Sequence, residues 1–230
     1  MLSKHYIFLV FLSVAFLSFP RAERMRTKQR RTEQTLNTLP LAVGNTWTYQ
    51  IDSTGYNDFD NSIESFGFTE KEVIDAQLSD PYGDSLYRVS VYRYDTSSSQ
   101  WNLRTSYSIQ ITDFKAIKAD SAGKEFVLRF PLTQWEFWDG NLFNSSKEQL
   151  YEVQYVDQFE LLNELEFDST ALIVKRNISN SLITDQEEEI YAKHVGLISR
   201  SKKFLRKQTS SQSIPDGYEI KYTLLEYEVN

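Results

Sequence analysis

Two groups of acids stand close enough in the chain to act together: Glu136 with Asp139, and the run Glu187, Glu188 and Glu189. Paired carboxylates can hydrolyse glycosidic bonds when held roughly 5–10 Å apart, one as acid and the other as base or nucleophile. Proximity in sequence sets no such distance. On a strand, Glu187 and Glu189 share one face and Glu188 takes the other. Charged strand residues are also the usual guard against edge pairing, and the sequence predicts that role for the glutamate run. His194 is the only histidine beyond the N-terminal apolar segment. Alone, in a chain with no cysteine, it offers neither a metal-ligand set nor a recognisable triad. Its place just before Gly196 predicts a solvated loop.

The densest aromatic cluster is Trp135 and Trp138 beside the turn Asp139-Gly140-Asn141. Tryptophan offers a large stacking face with one polar handle, so this cluster is either a ligand platform or core packing beside a tight turn. Together with Trp47 and Trp101 it makes the candidate ligand-binding set: Trp47, Trp101, Trp135 and Trp138. Asp52, Asn57, Asp58, Asp60 and Asn61 form an oxygen-rich loop. A calcium loop starting at Asp58 would need Gly at its sixth position and Glu at its twelfth, where Ile63 and Thr69 stand. Arg200, Lys202, Lys203, Arg206 and Lys207 form a basic run that could meet an anionic lipid surface or an acidic partner. No phosphate loop, nucleophile elbow or H-E-x-x-H is present. No catalytic residue, cofactor or metal is expected.

The elements that must position these residues are strands. Trp47, Tyr49 and Ile51 alternate with polar neighbours, and Trp101, Leu103, Thr105, Tyr107, Ile109 and Ile111 make the cleanest alternation of all, one apolar face against one polar. Further strands are predicted at 63–74, 86–94, 115–119, 125–130, 149–156, 170–177, 182–191, 196–204 and 218–227. Turns are predicted at Asp80 to Gly83, Asp120 to Gly123, Asp139 to Asn141 and Pro215 to Gly217. One short helix is predicted over 158–167, where Phe159, Leu162 and Leu165 recur at helical spacing. Short loops between strands mean antiparallel pairing. Long strands must twist and coil, so the expected fold is all-β: one strongly curved antiparallel sheet or open barrel, with a two-sheet sandwich as the alternative.

The 230 residues hold 25 Lys and Arg against 32 Asp and Glu, a net charge of −7, with 15 Phe, 14 Tyr and 4 Trp. The acidity argues against nucleic acid, which requires phosphate-neutralising cations. At the N-terminus, an apolar run over 6–19 is followed by Arg21, Arg24, Arg26, Lys28, Arg30 and Arg31. Fourteen residues cross only about 21 Å of an about 30 Å membrane core, which fits an export signal better than a spanning helix. Pro20 and Arg21 make a poor cleavage edge, and a basic flank resists translocation. Three readings stay open: a cleaved signal, an uncleaved tether, and a start at Met25. The expected organisation is a signal at 1–22, a basic and polar linker at 23–40, and one β domain at 41–230.

Four stretches, LAVGNTWTYQID from Leu41, FPLTQWEFWDGNLFN from Phe130, EIYAKHVGLIS from Glu189 and IPDGYEIKYTLLE from Ile214, resemble an uncharacterised family of exported bacterial envelope proteins, many of them lipoprotein-like. The resemblance rests on G-N-x-W-x-Y, W-D-G-N and I-Y-A-x-x-V-G-L-I in that order. It implies a curved sheet of the lipoprotein-carrier type and transfers no catalytic residue. The lipoprotein cysteine is absent here. The combined expectation is an exported, non-enzymatic protein of the periplasm or cell envelope. It would bind a lipid or other apolar ligand, or an envelope protein partner. Membrane contact would come through the N-terminal segment or the Arg200 to Lys207 run. A carboxylate hydrolase is the competing class, and it requires two acids converging in a pocket, one with a raised pKa.

Overall fold

A computed structural model describes residues 38–79, 84–112, 114–207 and 214–230. The signal, most of the linker, the Asp80 to Gly83 turn and the serine-rich loop near 210 lie outside them. Twelve strands follow in order: β1 (Thr46–Asn57), β2 (Ser62–Ser79), β3 (Ser85–Asp95), β4 (Gln100–Thr112), β5 (Lys115–Asp120), β6 (Gly123–Arg129), β7 (Phe137–Asp139), β8 (Leu150–Leu162), β9 (Leu165–Ser179), β10 (Ile183–Ala192), β11 (Gly196–Arg206) and β12 (Asp216–Glu228). All are antiparallel members of one sheet, ordered β6-β5-β4-β3-β2-β1-β12-β11-β10-β9-β8-β7. The sheet curls into a nearly closed barrel with an unsealed seam between β6 and β7. The curved-sheet expectation holds, and the sandwich does not occur.

Alternation decides which side chains enter the barrel. Ile51, Ile74, Leu128, Val153, Ile173 and Leu224 are almost fully buried, each contributing roughly 1.5–3 kcal/mol of apolar burial. The opposite face of β1, β10 and β12 carries Gln50, Asp52, Gln186, Glu188, Glu219 and Lys221. That is the reverse of a lipid-facing barrel, whose outward positions are apolar.

Two expectations from periodicity fail, each for a local reason. The helix at 158–167 is instead the end of β8, a turn at Asn163 and Glu164, and the start of β9. Leu162 and Leu165 are cross-strand partners. Asn163 has φ 55°, a left-handed conformation that asparagine tolerates and a helix does not. Their helical spacing is the accident of a short hairpin. The single apolar face of β4 is also broken. Val91 faces Thr105 but Tyr92 faces Leu103, so Arg104 is the extra residue of a bulge. A one-residue slip sends every later side chain to the other face. Ile109 is therefore buried, whereas Leu103 is 61% exposed and Trp101 sits outside with Tyr94, 5.2 Å between ring centroids. The Pro215 to Gly217 turn is corrected more mildly: Asp216 and Gly217 already pair with Arg206 and Leu205 as the first residues of β12.

Residues ahead of β1 close one end of the barrel. Asn45 is fully buried and organises them. Its Nδ2 donates to Pro40 O at 2.7 Å, and its Oδ1 accepts from the backbone N and the Nδ2 of Asn230 at 3.0 and 3.2 Å. Asn45→Ala strands those groups and should cost about 1–3 kcal/mol. A thermal melt that stays within error of wild type would show the end is held some other way.

Candidate functional site

The aromatic candidates do not converge. Trp47 is buried, and its Nε1 donates to Val195 O at 2.6 Å; Tyr49 OH donates to Leu197 O at 2.9 Å. Gly196, between those two acceptors, has φ 100°, a conformation that suits glycine. G-N-x-W-x-Y and V-G-L are thus two halves of one lock between β1 and the β10–β11 turn. Trp138 is buried at the seam and donates from Nε1 to Phe126 O at 2.8 Å. Asp139 Oδ1 accepts from the backbone of Asn141 and Gln149 at 2.9 and 3.0 Å. A Cβ on Gly140 would run into the Tyr151 ring. The W-D-G-N stretch therefore builds the seam. Trp135 is 58% exposed before β7, and Trp101 is on the outer wall with Lys71 Nζ 4.4 Å from its ring. Trp47 and Trp101 therefore do not face one space, because the β4 bulge turns Trp101 outward.

The acids separate as well. Glu136 pairs with Arg129 at 3.1 Å, while Asp139 holds the turn. Glu187 meets Arg176 at 3.2 Å, and Glu188 accepts from Ser201 Oγ at 3.4 Å. The edge-guard expectation for the glutamate run is overturned at Glu189. β10 lies inside the sheet, and the Glu189 side chain is 0% exposed. In the oxygen-rich loop, Asn57 and Asp60 accept from the backbone of Phe59 and Ser62, both at 3.0 Å. His194 is exposed in the β10–β11 turn with φ 64°. The basic run splits across both faces of β11. Arg200 binds Glu189, Lys203 binds Glu219 at 2.8 Å, and Lys207 Nζ donates to Asn180 O at 2.7 Å.

What the sequence reading missed is a chain of charges across the interior. Lys175 is the extra residue of a bulge in β9, since Glu187 faces Arg176 and Glu188 faces Val174. Bulges re-aim side chains, and this one places Lys175 Nζ between Glu125 of β6 at 2.8 Å and Glu189 of β10 at 2.9 Å. Arg200 Nε adds a 2.6 Å contact to Glu189, Tyr191 OH donates to Glu189 at 2.7 Å, and Tyr151 OH donates to Glu125 at 2.8 Å. Burial pushes the Glu189 carboxyl up, but Lys175 and Arg200 more than reverse it and hold it far below the usual range. Glu125 is lowered by the same balance, burial against Lys175. Burial pulls Lys175 down, and Glu189 with Glu125 raises it past its usual value. Both carboxylates are therefore held ionised.

Beside this chain lies a cavity of ≈ 70 Å³. Its apolar wall is Leu39, Trp47, Ile74, Val89, Ile109 and Val127, and its polar end is Glu72, Lys118 and Arg200 with Tyr49, Tyr107 and Tyr191. Burial, with Glu72 next in importance, raises the phenols of Tyr49 and Tyr107. Burial and Glu189 raise Tyr191. All three stay protonated donors. A larger depression of ≈ 560 Å³ is lined by polar side chains such as Asp52, Gln186, Glu188 and Lys203. Among the described residues no group of three or more His, Cys, Asp or Glu is arranged to hold a metal ion. Comparison with family models, curated proteins and solved structures finds no match to this chain.

Proposed function

We propose that the barrel binds a small amphiphilic ligand at its Trp47 end and that it does so as an exported protein of the cell envelope. The observation that carries this is the mixed cavity. Ligand sites are concave and largely apolar, with a few polar groups that fix orientation, and Trp47, Val89 and Ile109 facing Glu72, Lys118 and Arg200 have that composition. The interior acids favour binding over hydrolysis. A general acid needs a raised pKa, whereas Glu125 and Glu189 are both lowered. The apolar run over 6–19 and the envelope-family resemblance support export. Native mass spectrometry of gently purified protein should show a retained small molecule. Repeated absence of any adduct, with no thermal shift from short-chain acids, alcohols or amines, would sink the reading.

A second reading, an adaptor for an envelope protein partner, draws on the apolar side chains about the seam. Trp135, Phe137 and Leu150 are 58%, 61% and 52% exposed, and exposed apolar patches mark contact surfaces. Crosslinking in the envelope from position 137 should then capture one defined partner, and capture of none would remove this version.

A further inference from the structure

The interior charges are unevenly matched. Lys175 is committed to Glu125 and Glu189. Arg200 spends Nε on Glu189 and lies 5.4 Å from the Tyr222 ring centroid. Its Nη1 and Nη2 have no hydrogen-bond partner among the described residues. Lys118 makes no hydrogen bond or ion pair there either; its Nζ rests 4.2 Å from the Tyr107 ring centroid. Both cations line the same cavity. Glu72, the acid that shares it, already accepts from Tyr107 OH at 3.0 Å, and no ion pair joins it to Lys118 or Arg200 among the described residues.

A partly buried ammonium without a partner is costly. Burial, reinforced by the positive charge of Arg200, holds Lys118 below its usual range. An anion in the cavity they both line would give Lys118 a partner and meet the open Nη groups of Arg200, whose side chain is 26% exposed, through charge-assisted hydrogen bonds of the stronger kind. The rest of the cavity says what that anion carries. Its remaining wall is apolar, and ≈ 70 Å³ has room for roughly five water-sized spheres. That suits a short hydrocarbon tail and excludes a diacyl lipid.

We propose that Lys118 and Arg200 receive the carboxylate of a short-chain organic acid, whose tail lies against Trp47, Ile74, Val89 and Ile109. This rests on the small-amphiphile reading above and gives it a head-group chemistry.

Isothermal titration of the full chain with propanoate, propan-1-ol, propylamine and inorganic phosphate tests it. Propanoate should bind at least tenfold more tightly than propan-1-ol, and propylamine and phosphate more weakly than propanoate. Lys118→Met keeps the stem and removes a charge that makes no ion pair among the described residues, so the barrel should still fold while the preference for propanoate over the alcohol falls to near unity. Should that variant not fold, the wild-type series decides alone. Equal binding of acid and alcohol, a preference for the amine or for phosphate, or a folded Lys118→Met that keeps the preference would each overturn the carboxylate assignment while leaving the cavity reading standing. Binding of none of the four would overturn both.

Discussion

Lys175→Met should lower the urea midpoint by the equivalent of about 3–5 kcal/mol, the usual cost of removing one partner from a buried charge network. Lys175 is 3% exposed and is the one cation shared by Glu125 and Glu189. Its loss leaves Glu189 with Arg200 and the Tyr191 hydroxyl, and Glu125 with the Tyr151 hydroxyl. The same variant should change the acid limb of the stability curve. Glu189 and Glu125 have folded pKa values below their unfolded ones. Their contribution is therefore complete above the unfolded value of about 4.3 and is lost as pH falls through the lower folded values. Lys175 is raised in the folded state. Its contribution is complete below about 10.4 and is lost as pH climbs through its higher folded value. The wild-type network thus spans the neutral range whole. Without Lys175, the largest influence lowering both carboxyls is gone, their pKa values rise, and acid unfolding should begin at higher pH. A midpoint within about 1 kcal/mol of wild type, with an unmoved acid limb, would show that the network contributes nothing net.

Trp138→Ala should be as damaging, at about 3–5 kcal/mol for a buried tryptophan, and its effect should be concentrated at the seam. β6 and β7 share no ladder, and a set of individual contacts stands in for one. Phe126 N donates to Gly140 O at 2.9 Å, Trp138 Nε1 donates to Phe126 O at 2.8 Å, and Asn144 Nδ2 donates to Lys124 O at 2.8 Å. The Trp138 ring also lies 5.9 Å from that of Phe126 and 6.0 Å from that of Tyr151. Hydrogen exchange should show the Phe126 amide losing protection well before those of β1 and β12. Uniform loss across the sheet would mean that the seam and the remaining wall open as one unit.

The strand architecture was legible because alternation survives one buried face. Runs such as the one at Trp47 carry it openly, and turns at Asp120 and Asp139 carry their own chemistry. β7 was not legible, because three residues hold no period. The Phe159, Leu162 and Leu165 spacing misled because a tight hairpin and a helix can place apolar residues at the same intervals. The β4 bulge could not be seen either. The alternation from Trp101 to Ile111 is unbroken in sequence, and only pairing with β3 shows that Arg104 is the extra residue. The interior site was the least visible part. Glu189 looked like its neighbours Glu187 and Glu188, since its burial depends on Lys175 and Arg200, which are remote in sequence or on another strand. One signal was present: Lys175 directly follows the apolar run Ala171 to Val174, and a lysine continuing a buried strand needs an acid opposite.

The pairing of β1 with β12 sets the order in which this molecule can be completed. Each half of the sheet, β1 to β6 and β7 to β12, is a meander of neighbouring hairpins, and such local contacts close quickly. The two halves join where Thr46 meets Glu228 and Tyr56 meets Gly217, partners separated by almost the whole described chain. Until Asp216 and the residues after it have been made, β1 has no strand on that side. A chain emerging from its N-terminus therefore carries a bare, twelve-residue edge until β12 has been made. Such edges recruit other chains, so the hazard of misassembly lasts until β12 covers β1.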